Sequence, residues 1–195
     1  MREAKAIDRR QLHICGWFGS QLDMSGLQMI VQLTSDEQIA ITEAGLQRAI
    51  RYKPQWEGRT FKRNYQHDKE QLNFAEFVVQ QSQAIAAEVA VSKYFRQPID
   101  LGNINYKERA DVGHNIEVKW TKWLDGSLIL TELDRKEDIA ILVTGSMPKL
   151  RVCGWIPIVM AKRNKQQRSD GSWWIAQQDL HPMADFSRSI YGTGY

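Results

Sequence analysis

Apolar residues recur through the middle of the chain with two different periods. Between residue 73 and about residue 96, Phe74, Phe77, Val78, Ala84, Ile85, Val89 and Phe95 fall on one arc at roughly 100° per residue, which predicts a long helix. Asn73 as N-cap with Glu76 three residues on forms a capping box, and Pro98 stands just beyond the end. From Gly102 onward the pattern becomes that of strands. In residues 116–120, Ile116, Val118 and Trp120 share one face while Glu117 and Lys119 share the other. Asp125-Gly126 predicts a hairpin turn between strands at 116–123 and 127–132. Residues 139–144 and 151–158 are continuous apolar runs, as expected of central strands covered on both faces.

The N-terminal part is less regular. Residues 27–33 predict a strand or a short apolar element. Ser35 with Gln38 resembles a capping box opening a helix to about Arg51, with Ile39, Thr42, Leu46 and Ile50 near one face and Gly45 weakening it. Residues 56–69 look like loop, and no repeat or long linker is evident. A helix, several strands and an irregular tail fit an α/β sandwich with a mixed sheet. The expected division is a helical or irregular extension over residues 1–69, packed on a core at 70–195.

Composition narrows the classes. A chain of 195 residues that is 43% hydrophobic can bury one sizeable core. The net charge of +3 is too mild to argue nucleic-acid binding by itself. Cys15 and Cys153 lie far apart, so neither a disulfide framework nor a zinc ribbon is indicated, and His13 with Cys15 lacks a second ligand pair. The first ten residues lack the apolar stretch of a secretory signal, and no run approaches membrane-spanning length. These features predict a soluble, cytoplasmic protein with reduced thiols and no membrane partner. Serine-hydrolase, zincin and P-loop motifs are missing.

Candidate chemistry centres on Asp111, Glu117 and Lys119. Gly113-His114-Asn115 predicts a turn, so Asp111 would end one strand and Glu117 begin the next at the same end of a sheet. Two hard carboxylate oxygens suit Mg²⁺ or Mn²⁺, and a nearby ammonium can hold a water or stabilise charge developing on a phosphate. A solvated surface pair of Glu and Lys is the plainer alternative. Glu88 falls near the middle of the apolar arc of the long helix. A carboxylate there must be paired, protonated or bound to a cation. Either a core arginine or backbone amides satisfy it, or it faces the same sheet end as Asp111 and Glu117.

The order helix Glu88, then Asp111, then Glu117-Val118-Lys119 resembles the PD-(D/E)XK nuclease superfamily, with its restriction-endonuclease-like α/β sandwich of a central mixed sheet flanked by helices. Residues 87–95 resemble its first core helix; Ala110 stands where the name-giving pattern has Pro. Residues 138–144 and 150–158 resemble two later core strands, and residues 173–183 the closing segment, so the likeness covers roughly residues 70–186. The resemblance implies a divalent-metal nuclease in which Asp111, Glu117 and the Val118 carbonyl bind Mg²⁺ or Mn²⁺. Glu88 would assist at that metal, Lys119 would orient water or stabilise the transition state, and cleavage would leave a 5′-phosphate. An endonuclease acting on DNA is the expectation. A Holliday-junction-type resolvase, an exonuclease and a catalytically silent nucleic-acid-binding module are the alternatives, and a dimer would suit several of them.

Basic residues cluster in two places. Arg48, Arg51, Lys53, Arg59, Lys62 and Arg63 are interleaved with Tyr52, Trp56 and Phe61, and Lys162, Arg163, Lys165 and Arg168 form a second group. Basic residues with interspersed aromatics suit phosphate contact and base stacking, whereas a solvated helix end and an exposed hairpin loop are the plainer readings. Beside a phosphodiesterase centre, both clusters are expected to contact DNA. Lys122 and Arg135 are further candidates for backbone phosphates.

Overall fold

In the computed structural model, residues 29–52, 72–102 and 109–192 are described. The elements run β1 (Met29–Gln32), α1 (Ser35–Arg51), α2 (Phe74–Phe95), β2 (Ile116–Thr121), β3 (Leu128–Leu130), β4 (Ile139–Ser146), β5 (Lys149–Pro157), α3 (Ile158–Ala161) and β6 (Trp173–Ile175). Four strands form one sheet in the order β1-β5-β4-β2. β5 is antiparallel to both β1 and β4, whereas β2 is parallel to β4. The protein is therefore α/β with a mixed central sheet. β4 and β5 take the two central places, as their uninterrupted apolar runs predicted, and each is buried along most of its length.

Alternation along β4 divides the core in two. Ile139, Ile141 and Val143 pack with Ile85, Val89 and Ala90 of α2, while Ala140 and Leu142 pack with Leu128, Leu130, Trp173 and Ile175. The second group belongs to β3 and β6, which pair antiparallel as a separate two-stranded sheet. The long helices thus cover one face of the central sheet, and the other face is covered by the small sheet and the short α3. Each fully buried Val, Leu or Ile in these layers contributes about 1.5–3 kcal/mol of transfer free energy.

Local signals explain the helix limits. Asn73 Oδ1 accepts from the Glu76 amide at 3.0 Å and Glu76 Oε2 accepts from the Asn73 amide at 2.9 Å, so the capping box of α2 is complete. α1 has the same device one residue earlier than the sequence suggested, between Thr34 and Glu37. Residues 85–92 of α2 are buried on every side, because the helix lies between the sheet and α1.

Two expectations are corrected. Asp125-Gly126 does lie at a turn, closed by the Gly126 amide donating to the Trp123 carbonyl, but β3 leaves for the second sheet instead of folding back on β2. α1 buries Ile41, Gly45 and Ala49, whereas Ile39, Leu46 and Ile50 are 54%, 40% and 48% exposed. From the segment before residue 69, β1 hydrogen-bonds to β5 and α1 packs on α2.

Gly45 accounts for the face of α1. A Cβ built there would lie 2.1 Å from Ser82 Oγ and 2.8 Å from Ser82 Cα, so the helices cross with backbone nearly touching. Helix propensity favours alanine, but the crossing forbids it. Gly45→Ala is expected to destabilise the fold by about 1–3 kcal/mol through overpacking. Urea unfolding checks this; an unchanged or raised midpoint would contradict the close crossing.

Candidate active site at the free edge of β2

Among the described residues β2 is an edge strand, so one side of its backbone has no sheet partner there. The chain before it turns back through Gly113, at φ +60, and Val112 bridges Ile116. Only glycine adopts that left-handed backbone without cost. The Asp111 amide donates to the Ile116 carbonyl at 2.8 Å, and Asp111 Oδ2 accepts from the Val118 amide at 2.7 Å. Asp111 is thereby fixed against the free edge. The hairpin that the sequence suggested is present as a single bridge rather than a strand.

Glu117 and Lys119 lie on the face of β2 turned toward the small sheet, opposite Ile116, Val118 and Trp120 on the helix side. Glu88 approaches from α2 on that helix side. Asp111 sits between the two faces and feels the charges of both Glu88 and Glu117. Burial first, and then these two carboxylates, push Asp111 well above the usual aspartate range; the Val118 amide and the Lys119 ammonium offset only part of this. Asp111 Oδ1 takes no hydrogen bond from any described residue, and Asp111 and Glu88 line a cleft of about 370 Å³ with Arg109, His114 and Arg135.

The cations around this cluster have specific partners. Arg48 Nη1 and Nη2 donate to Glu88 Oε1 and Oε2 at 2.7 and 2.9 Å, a bidentate and mostly buried pair. Burial alone would lower Arg48, but the hydrogen bonds and charge of Glu88, with the charge of Asp111, hold its guanidinium above the ordinary range. Arg48 Nε is buried without a hydrogen-bond partner among the described residues. Lys119 Nζ donates to Glu117 Oε1 at 2.6 Å and to Asp134 Oδ1 at 2.7 Å. Asp134 carries no signal in the sequence pattern. Its side chain is wholly buried, and its Oδ2 accepts from the Thr131 amide and hydroxyl.

The residues expected to contact DNA are placed as follows. Arg48 belongs to the buried pair just described, so its guanidinium faces the protein and not solvent. Lys162 Nζ donates to the backbone carbonyls of Asp134 and Glu132 and lies 5.3 Å from the Trp173 ring centre. Burial lowers its pKa against the opposing charges of Asp134 and Glu132. Arg135 makes a two-pronged pair with Asp138 at 2.8 Å on each side. Arg51, Lys122, Arg163 and Lys165 are exposed, with Lys122 over the Trp123 ring and Arg168 stacked 3.7 Å from the Trp174 ring centre. Lys53, Arg59, Lys62 and Arg63, with His13 and Cys15, lie outside the described residues. No described helix is long and apolar enough to cross a membrane.

Asp111, Glu117 and Glu88 offer the hard oxygen donors that Mg²⁺ or Mn²⁺ take, and their mutual repulsion around Asp111 is what a divalent cation would relieve. Glu88 and Glu117 each also hold a protein cation, so among the described residues no three such side chains already converge as a ready ligand set.

Two outcomes follow. Because folding raises Asp111, its contribution to stability in chelator is fully present below the ordinary aspartate range and is lost as pH rises through the raised value. The chelated Asp111→Asn protein should therefore be more stable than the parent at neutral pH, by on the order of 1 kcal/mol, with the difference vanishing in acid. Thermal melts from pH 3 to about pH 8 measure it; a parent that gains stability relative to the variant as pH rises would contradict the crowding. Arg48→Met leaves Glu88 buried without its partner and should cost about 3–5 kcal/mol, most of it recovered in Arg48→Met/Glu88→Gln. Equal losses in the single and double variants would show that the pair is not coupled.

No protein-family model, no curated protein and no solved structure matches the chain, and its function must therefore be argued from these residues.

Proposed function

We propose that this protein is a divalent-metal-dependent nuclease of restriction-endonuclease-like fold that hydrolyses DNA phosphodiester bonds internally. The observation that carries the reading is the position of Asp111, held by the Val118 amide between Glu88 and Glu117, beside the Lys119 ammonium and on the wall of an open cleft. Carboxylates are gathered where they repel one another, which costs stability and is a mark of functional sites.

Asp111 and Glu117, with the Val118 carbonyl, would hold Mg²⁺ or Mn²⁺, and Glu88 would support it. When bound, the metal would polarise the scissile phosphate and lower the pKa of attacking water. Lys119, fixed by two carboxylates, presents a positive charge beside that place and stabilises the charge that grows on the phosphoryl oxygens. Water adds to phosphorus in line with the departing 3′-oxygen, which leaves as a hydroxyl after protonation, and the 5′-phosphate remains on the other fragment. Arg109 and His114 line the cleft wall and would meet the phosphates that flank the bond.

A second reading is favoured by one observation. The bidentate Arg48–Glu88 pair neutralises a carboxylate that a metal-assisting role would leave available, as a silent nucleic-acid-binding module would tolerate. A cleavage assay separates the two. Supercoiled, linear, single-stranded and four-way-junction DNA are incubated with Mg²⁺ or Mn²⁺, using the wild type and Lys119→Ala. The nuclease reading expects metal-dependent cutting of supercoiled DNA, slowed about 10²–10³-fold in the variant. Cutting confined to junctions or to ends would replace the endonuclease by a resolvase or an exonuclease. DNA bound but never cut, in any form and with either metal, supports the silent module.

A further inference from the structure

We infer that Asp134 is the positioning residue that holds the Lys119 ammonium at the cleavage centre, an inference that rests on the nuclease reading. Lys119 has two anionic partners, and they are not equivalent. Glu117 donates the same carboxylate to the candidate metal site, and a cation drawn to it weakens its hold on Lys119. Asp134 is not among the residues proposed to hold the metal. One of its oxygens takes Lys119 at 2.7 Å; the other is engaged by the Thr131 amide at 2.6 Å and the Thr131 hydroxyl at 3.1 Å.

The segment that carries Asp134 is itself fastened. The Asp134 amide donates to the Thr131 carbonyl at 3.2 Å, closing the turn. Lys162, at the end of α3, reaches across to the carbonyls of Asp134 and Glu132 at 2.6 and 3.1 Å. Lys162, a residue expected to meet DNA, makes contacts that brace the residue that braces Lys119. A lysine side chain has four rotatable carbons and no fixed donor geometry, so an ammonium that must sit at one point needs rigid acceptors. Among the described residues two of its three N–H donors are taken, which leaves one for substrate or water.

Stability alone gives no reason for the arrangement. Asp134 has a wholly buried carboxyl side chain against the Lys119 ammonium, and apolar residues of similar volume commonly serve a fold as well as a buried ion pair does. The carboxylate is explained by what it positions.

The test uses the full chain with Asp134→Asn, whose single carbonyl oxygen cannot serve both Lys119 and Thr131. Three quantities are compared with wild type: the slowly exchanging ammonium signal of Lys119 in ¹⁵N-lysine NMR spectra, kcat and KM for Mg²⁺-dependent DNA cleavage, and the thermal shift caused by Mg²⁺. The expected result is loss or broadening of the ammonium signal, kcat lower by about 10–100-fold, KM little changed, and the Mg²⁺ shift retained because Asp111 and Glu117 are intact. An unchanged ammonium signal, or an unchanged kcat, overturns the proposal. Should Asp134→Asn fail to fold, Thr131→Val removes one donor to Asp134 with little change of shape, and a smaller fall in kcat at constant KM is expected; no fall overturns it. Wild-type protein that cuts no DNA removes the nuclease reading and this proposal's catalytic consequence with it, whereas the ammonium signal judges the Asp134–Lys119 anchor by itself.

Discussion

Asp111 accepts a hydrogen bond from the Val118 amide because β2 is the edge of its sheet, and that one contact carries a carboxylate around the strand to a point between its two faces. From there Asp111 is within reach of Glu88 on the helix side and Glu117 on the other. The local turn through Gly113 brings Glu117 there, whereas Glu88 is brought by the packing of α2 on the sheet. The surrounding structure answers the resulting concentration of negative charge: Arg48 neutralises Glu88, Lys119 bridges Glu117 and Asp134, and Lys162 secures the turn that bears Asp134. Coulomb repulsion in a partly buried site is several-fold stronger than in water, so charges of this density persist only with such partners or with a bound cation.

The layers make the edge available. α2 supplies a buried face of small and branched residues to the central sheet, and its capping box fixes where the helix begins and hence where Glu88 lies along it. α1 approaches α2 closely enough, through Gly45 against Ser82, for Arg48 to reach Glu88 forty residues away. The β3–β6 sheet covers the opposite face and places the turn at 131–134 over Lys119. The fold thus brings three separate segments to one strand edge.

Much of this was legible in the chain. The period and caps of residues 73–96 define α2 almost to the residue, because capping and amphipathic spacing are local. Asp111, Glu117 and Lys119 were legible as a group because a turn and a two-residue period alone relate them. What was not legible depends on partners distant in sequence. Ile39, Leu46 and Ile50 are strongly apolar, yet close packing selected the face on which Ile41 stands with the small residues Gly45 and Ala49. Arg48 and Lys162 look like surface cations until Glu88 and the 132–134 carbonyls are seen to claim them. Asp134 gave no signal, since nothing in residues 131–138 marks one acidic residue above its neighbours.

The central claim is that Asp111 and its neighbours form a divalent-cation site. Titration of Mn²⁺ into the chelator-free protein, followed by the loss of the aqueous Mn²⁺ electron paramagnetic resonance signal, tests it without reference to any substrate. Saturable binding by the wild type that Asp111→Asn abolishes is the predicted result. Binding that is equal in both proteins, or missing from both, would contradict it.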